Sequence, residues 1–286
     1  MIQRVAEPFR PSSQIPEWIW KRIPIVGTFP VEVTDNKAFL YRSIGEPAGK
    51  VLYWRGNWGF EEGAPQIFYK LAQTAQTFFD IGAYVGYYTL LAATANPNIQ
   101  VFAFEPVPSI NARLHEHIQM NHFHRNTTIE QVVLSDKVER TIPFYVPLHP
   151  WATSSSLVSD FKNDTSKETI FLESLTLDTY VEQENIQKVD LIKIDVEGAE
   201  VNVLRGASRT LNQHRPIIFC EILEQPDEVL QEIEGILLNA NYRHAHITPK
   251  GLVKQQQIGP DLTRKDKNYL FWPAEQDEFI HSLARS

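Results

Sequence analysis

The chain has 286 residues, 43% of them hydrophobic and 22% charged, which is enough to bury a full core and too apolar for a disordered tail or a fibrous repeat. Its 27 Lys and Arg against 35 Asp and Glu leave a formal charge of −8, so the surface repels phosphate backbones and nucleic acid is not an expected partner. Cys220 is the single cysteine, which excludes an internal disulfide framework and a cysteine-based zinc cluster and points to a reducing, cytoplasmic setting.

Prolines at 8, 11, 16, 24 and 30 interrupt the first thirty residues, so this segment holds a short helix around Trp18 and otherwise reads as an arm or cap. It lacks the basic-then-apolar layout of a signal peptide. The alternating VEVTDNKAFLYRS, followed by VLYW, predicts a small β-hairpin layer, giving an arm and β cap over residues 1–70 ahead of a main domain over 71–286. The most apolar window, 77–95, contains Asp80, Gly82 and Gly86, and reads as strand, turn and helix rather than a membrane span.

From Phe78 onward, short apolar strands alternate with helical patterns, as in a mostly parallel sheet covered on both faces. The strands are TFFDI, QVFAFE, TIEQVVLS, VDLIKID and PIIFCEI, with YRHAHI and YLFWP near the end, and the helices fall over 84–95, 107–121, 199–212 and 226–241. Residues 140–184 break the alternation with a strand-like TIPFYV and a polar loop, WATSSSLVSDFKNDTSKE, of the length that usually serves function or mobility.

Two motifs carry chemistry. In FFDIGAYVGYYT a strand ends at Asp80-Ile81, turns on Gly82 and Gly86 and opens a helix, so the backbone and the free N–H groups of the helix start can approach a nucleotide-type cofactor. Glu105 ends the next strand, at the rim where a carboxylate accepts hydrogen bonds from ribose hydroxyls. A nicotinamide fingerprint would need glycine where Tyr84 and Tyr87 stand, whereas a cationic donor without phosphates, such as S-adenosylmethionine, tolerates both the tyrosines and the acid at Asp80.

The second motif, VDLIKIDVEGAEVNVLRGA, delivers Asp195 and Glu197 to the carboxyl edge of a buried strand, where they either cap the next helix or meet an acceptor hydroxyl. Together, DIGAYVGYYTL, FEPVPS, this block and PIIFCEI resemble the FkbM family of S-adenosylmethionine-dependent methyltransferases. The resemblance implies an α/β, Rossmann-like class I methyltransferase fold with a seven-stranded, mostly parallel sheet and helices on both faces. It also implies O-methylation of a sugar or glycan hydroxyl or of a secondary metabolite. Carried onto this chain, it puts Asp80, Gly82, Ala83 and Gly86 around the methionine part of the donor, Glu105 on the ribose, and Ser135 and Asp136 at the adenine. Asn is usual in the family where Tyr84 stands here.

Methyl transfer needs an aligned acceptor and a group to take its proton, and Asp195 is the first candidate. Lys193 shares its strand face and can tune it, with Glu197 and Glu221 next. Carboxylates at these strand ends suit Mg²⁺, but too few ligands can be named and no metal ligand is assigned. Trp151, Ser154 and Ser155 in the polar loop are candidates for binding a small-molecule or saccharide acceptor, and Glu61 or Glu62 can cover the cofactor from the other side. His115, His117, His122 and His124 are expected at the surface, and His244 and His246 at a strand edge. The alternatives are a nicotinamide-dependent oxidoreductase, disfavoured by Tyr84 and Tyr87, and a non-catalytic cofactor-binding module, which would need neither Asp195 nor Glu197.

Overall fold

The computed structural model describes residues 16–61, 63–148, 155–158, 166–255, 257–259 and 267–285. A short helix α1 (Glu17–Trp20) leads into an antiparallel hairpin of β1 (Val26–Thr34) and β2 (Lys37–Ile44). The expected strand VLYW is instead part of helix α2 (Pro47–Arg55), because Pro47 supplies the preset φ of a helix start and Leu52, Tyr53 and Trp54 are all buried around its end. Helix α3 (Ala64–Thr74) follows and spans the boundary expected at residue 70.

The main sheet starts with β3 (Thr77–Ile81), helix α4 (Tyr87–Ala95), β4 (Gln100–Phe104), helix α5 (Pro108–Met120) and β5 (Thr127–Glu130). The expected strand TIEQVVLS is split: β5 pairs with β4, whereas β6 (Val133–Leu134) leaves to pair with β8 (Lys167–Leu175) beside β7 (Glu139–Pro147) in a three-stranded sheet. Helix α6 (Leu177–Gln183) leads to β9 (Leu191–Ile194). The helix expected over 199–212 is broken into α7 (Glu200–Arg205) and α8 (Ser208–Gln213), since Gly206 passes so close to Ser135 that a Cβ would lie 2.1 Å from its carbonyl oxygen. The chain continues through β10 (Ile217–Glu221), α9 (Asp227–Asn239), β11 (Tyr242–Thr248), β12 (Gly251–Val253), β13 (Asn268–Pro273) and α10 (Asp277–Arg285).

The sheet has eight strands in the order β12-β11-β13-β10-β9-β3-β4-β5, one more than expected, because the three-residue β12 is too short for a sequence pattern and extends the antiparallel edge. From β5 to β10 all pairs are parallel, and the chain reverses its direction of build-up between β3 and β9, so the carboxyl ends of these two strands open a crevice. Successive strand residues feed opposite cores. Phe78, Leu191 and Phe219 join the hairpin, α3 and α4, while Phe79, Ile192 and Ile218 join the helices that follow β9. Every residue of α4 is buried. Among the described residues, no helix is long and apolar enough to cross a membrane.

The hairpin is tied to the main domain by His117 of α5, which corrects its surface placement: its Nε2 accepts the Arg42 N–H at 2.9 Å and its Nδ1 lies 2.7 Å from the Val85 carbonyl. This arrangement needs the neutral ring, and burial lowers the imidazole pKa, helped by Arg113 and opposed by Glu46. His246 is likewise buried, against Tyr269, because β12 covers its strand. A depressed folded pKa means that the stability from His117 is present above the ordinary imidazole value and is lost as pH falls through it. Thermal unfolding across pH 8 to 5.5 should therefore show the advantage of the native protein over a His117→Gln variant shrinking as the pH drops, and a constant difference would contradict the neutral bridge.

Candidate active site

The turn after β3 is shaped by close approach. The N–H groups of Gly82 and Ala83 both donate to the Phe104 carbonyl at 3.0 Å, stitching the loop to the end of β4. Gly82 has φ +78°, and a Cβ there would stand 1.9 Å from the Asp195 carbonyl oxygen, so only glycine lets the loops after β3 and β9 meet. Gly86, at φ +89°, starts α4 and would meet Leu114 if it carried a Cβ. Between them Tyr84 holds φ +51°, a left-handed conformation costly for a bulky side chain.

Glu105 follows β4 and is buried at the crevice wall. Its Oε2 accepts the Tyr84 N–H at 3.0 Å and its Oε1 accepts the Val107 N–H at 2.9 Å. Burial pushes its carboxyl pKa up to about 8, against the pull of those two amides.

A second group of acids collects at the ends of β3, β9 and β10, and strand register explains why. Asp80 and Phe219 are both register partners of Lys193, and Glu221 is paired with Asn268, so Asp80, Lys193, Asp195 and Glu221 share the face covered by α3 and α4. Lys193 is almost fully buried; its Nζ lies 2.8 Å from Asp195 Oδ2 and 4.8 Å from the centre of the Tyr88 ring. Burial would lower its pKa, but Asp195, Asp80 and Glu61 outweigh that and hold the ammonium charged. Asp80 Oδ2 accepts the Thr89 hydroxyl at 2.6 Å, while its buried Oδ1 has no hydrogen-bond partner. Glu61 Oε2 accepts from Tyr88 at 2.6 Å and from Asn268 at 3.2 Å. Burial and then the neighbouring Asp195, to which it is hydrogen-bonded, raise the Glu221 pKa strongly.

These elements enclose a cleft of about 300 Å³, a size that holds a small-molecule ligand. Its lining combines Gly82, Tyr84 and Glu105, the apolar Phe104, Ile110, Val132, Val133 and Leu134, and the acids Glu61, Asp195, Glu197 and Glu221. Of the residues expected from sequence, Glu61, Gly82, Glu105, Ser155, Asp195, Glu197 and Glu221 line the cleft together. Asp80 and Lys193 are buried and are not part of the lining, but Lys193 is paired with Asp195, which is. Ala83 and Gly86 shape the loop without forming part of the lining. Ser135 and Asp136 do not line it: Ser135 is buried with its N–H on the Leu175 carbonyl, and Asp136 faces Arg205 at 3.9 Å. Trp151, Ser154 and Glu62 lie outside the described residues.

Glu197 takes φ +54°, and its carbonyl accepts the Ser156 hydroxyl at 2.7 Å, which pins the segment 155–158 to the end of β9. Glu200, at the end of the same motif, is a structural acid that sequence reading did not single out. It is fully buried, its Oε1 accepts the Gly198 N–H at 3.0 Å and its Oε2 accepts Gln225 at 2.7 Å, closing the loop. Sequence reading also missed Glu46, Pro47 and Ala48, which bring the N-terminal cap to the cleft wall, and no local motif marks them. Among the described residues, no group of three or more His, Cys, Asp or Glu is arranged to hold a metal ion.

A family profile described as methyltransferase FkbM domain matches residues 80–244. A 2-O-methyltransferase, NoeI, of Sinorhizobium fredii is 29% identical over 175 residues, covering 56% of this chain and 68% of that protein. A hexuronic acid methyltransferase, AglP, of Haloferax volcanii is 26% identical over 232 residues, covering 76% of this chain and 78% of its own length. The solved methyltransferase FkbM of Methylobacillus flagellatus superposes with a TM-score of 0.46 at 17% identity, over 69% of this chain and 44% of that one.

The charge arrangement makes one stability prediction. Lys193→Met removes the cation paired with Asp195 at 2.8 Å and should cost about 3–5 kcal/mol in denaturant unfolding at pH 7, the scale of a broken buried ion pair. Unchanged stability would mean that the acids around Lys193 are neutral in the folded protein.

Proposed function

The chain belongs to the FkbM family of S-adenosylmethionine-dependent methyltransferases, and on that premise we propose that it methylates a hydroxyl group of a saccharide. The carrying observation is that one cleft joins Gly82 and Glu105 to Asp195 and Glu221, so a donor and an acceptor oxygen can meet inside it. The name of one relative, a hexuronic acid methyltransferase, supports a sugar acceptor, and that of another, a 2-O-methyltransferase, supports transfer to oxygen.

The residues present suit the donor. Bound S-adenosylmethionine supplies a methyl group activated by a sulfonium cation. Gly82 keeps the crevice open, Glu105 would accept from the ribose, and Val132, Val133 and Leu134 with Phe104 offer the base an apolar slot in place of Ser135 and Asp136. The unpartnered Asp80 oxygen and the carboxylates of Glu61 and Asp195 bias this corner toward a positive ligand. Tyr84 lines the cleft where a dinucleotide pyrophosphate would need glycine, which argues against the nicotinamide reading.

In this reading Asp195 takes the proton from the acceptor hydroxyl as the methyl group transfers. Lys193 fixes its Oδ2, and Glu221, which keeps its own proton, donates to Asp195 and orients it. Glu197, Ser155, Leu157 and Phe144 would border the acceptor. The neighbouring strand ends thus divide donor binding from proton removal.

That division is testable. Calorimetric titration should show S-adenosylhomocysteine binding the native protein while NADH, run in parallel, does not. Glu105→Ala should weaken this binding about tenfold, the loss of a buried hydrogen-bonding group that faces the ribose. Asp195→Asn should bind normally yet transfer labelled methyl to saccharide acceptors about a hundredfold more slowly, the scale of general base catalysis. Equal losses of binding in both variants would contradict the assignment.

A further inference from the structure

The wall of the cleft comes partly from outside the sheet. Glu46, Pro47 and Ala48, between β2 and the body of α2, line it beside Tyr84 and Ile110. Glu46 is completely buried, yet it is not waiting for a ligand. Its Oε1 accepts the Tyr41 hydroxyl at 2.9 Å and Arg113 Nη2 at 3.1 Å, and its Oε2 accepts the Ile44 N–H at 2.8 Å. Arg113, projecting from α5, in turn hydrogen-bonds the Tyr84 side chain.

Tyr84 needs such support. A bulky residue at φ +51° persists only where its surroundings fix it. Three ties do so: its N–H to Glu105, its side chain to Arg113, and the carbonyl of its neighbour Val85 to His117, which also holds Arg42 of the hairpin. Two of the three lead back to the N-terminal hairpin.

We infer that the N-terminal hairpin is part of the donor-binding machinery: Glu46, acting through Arg113, holds Tyr84 against the cleft and thereby sets the Glu105 carboxylate for the ribose. Glu46 and Arg113 are positioning residues, and Tyr84 is the wall they position. The inference rests on the donor assignment made above and adds to it a segment outside the matched residues 80–244.

The test is a double-mutant cycle of Glu46→Gln and Tyr84→Phe, read by calorimetry with S-adenosylhomocysteine and by thermal unfolding in parallel. Each single variant should weaken binding about fivefold, the value of one hydrogen bond, and the double variant should also lose about fivefold, because both changes cut the same chain. A loss of about twenty-five-fold in the double variant would show two independent contributions and overturn the coupling. Unchanged binding in Tyr84→Phe alone would overturn it even if Glu46→Gln failed to fold. A native protein that does not bind S-adenosylhomocysteine would overturn the donor assignment and this inference with it, whereas normal native binding with unaffected variants overturns only the inference.

Discussion

One ammonium group, that of Lys193, allows acids from three strands and a cap loop to share a buried corner. Asp80, Asp195 and Glu61 all act on it, and Glu221 is bonded to Asp195 beside it. Carboxylates this close cannot all be charged without a cation among them, and burial strengthens both the repulsion and the attraction. The cost of burying Lys193 is offset by its neighbours and by the Tyr88 ring beneath its Nζ. Parallel register places these groups on one face at the strand ends, so the same pairing that builds the sheet builds the site.

The second constraint is space. Gly82 brings the loop after β3 within contact of the Asp195 carbonyl, which fixes the distance between that loop and the acid that follows β9. Glu105 is tied to the same loop through Tyr84. A methyltransferase must keep donor and acceptor within one bond-forming distance, and backbone contact between the loops after β3 and β9 suits that need. The hairpin contributes from the outside, because Tyr41 and Arg42 reach α5 residues that support the loop.

Much of this was legible in the sequence where the pattern is strong. TFFDI, LIKI and IIFCE are runs buried on both faces, and their strands appear where apolar periodicity places them. That Gly82, Glu105, Asp195 and Glu221 line one cleft could be read because each lies at or just past the carboxyl end of a parallel strand. VLYW misled because its aromatic, β-branched composition suits a strand, and only Pro47 signalled a helix. TIEQVVLS hid a change of sheet at Gln131 that no turn residue marks. The resemblance puts Ser135 and Asp136 at the adenine, but the lining ends at Leu134: the Ser135 N–H is held by the Leu175 carbonyl and Asp136 faces Arg205. Glu46 and Arg113 were invisible because a buried ion pair between residues sixty-seven positions apart leaves no local pattern.

The central claim is that Glu105 and Asp195 mark the two functional ends of one cleft, donor and chemistry. A crystal structure of the protein with S-adenosylhomocysteine addresses it most directly. The account predicts ribose hydroxyls on the Glu105 carboxylate, the base beside Val133 and Leu134, and the sulfur directed toward Asp195. A ligand seated with its sulfur away from Asp195, or in a different cavity, would contradict it.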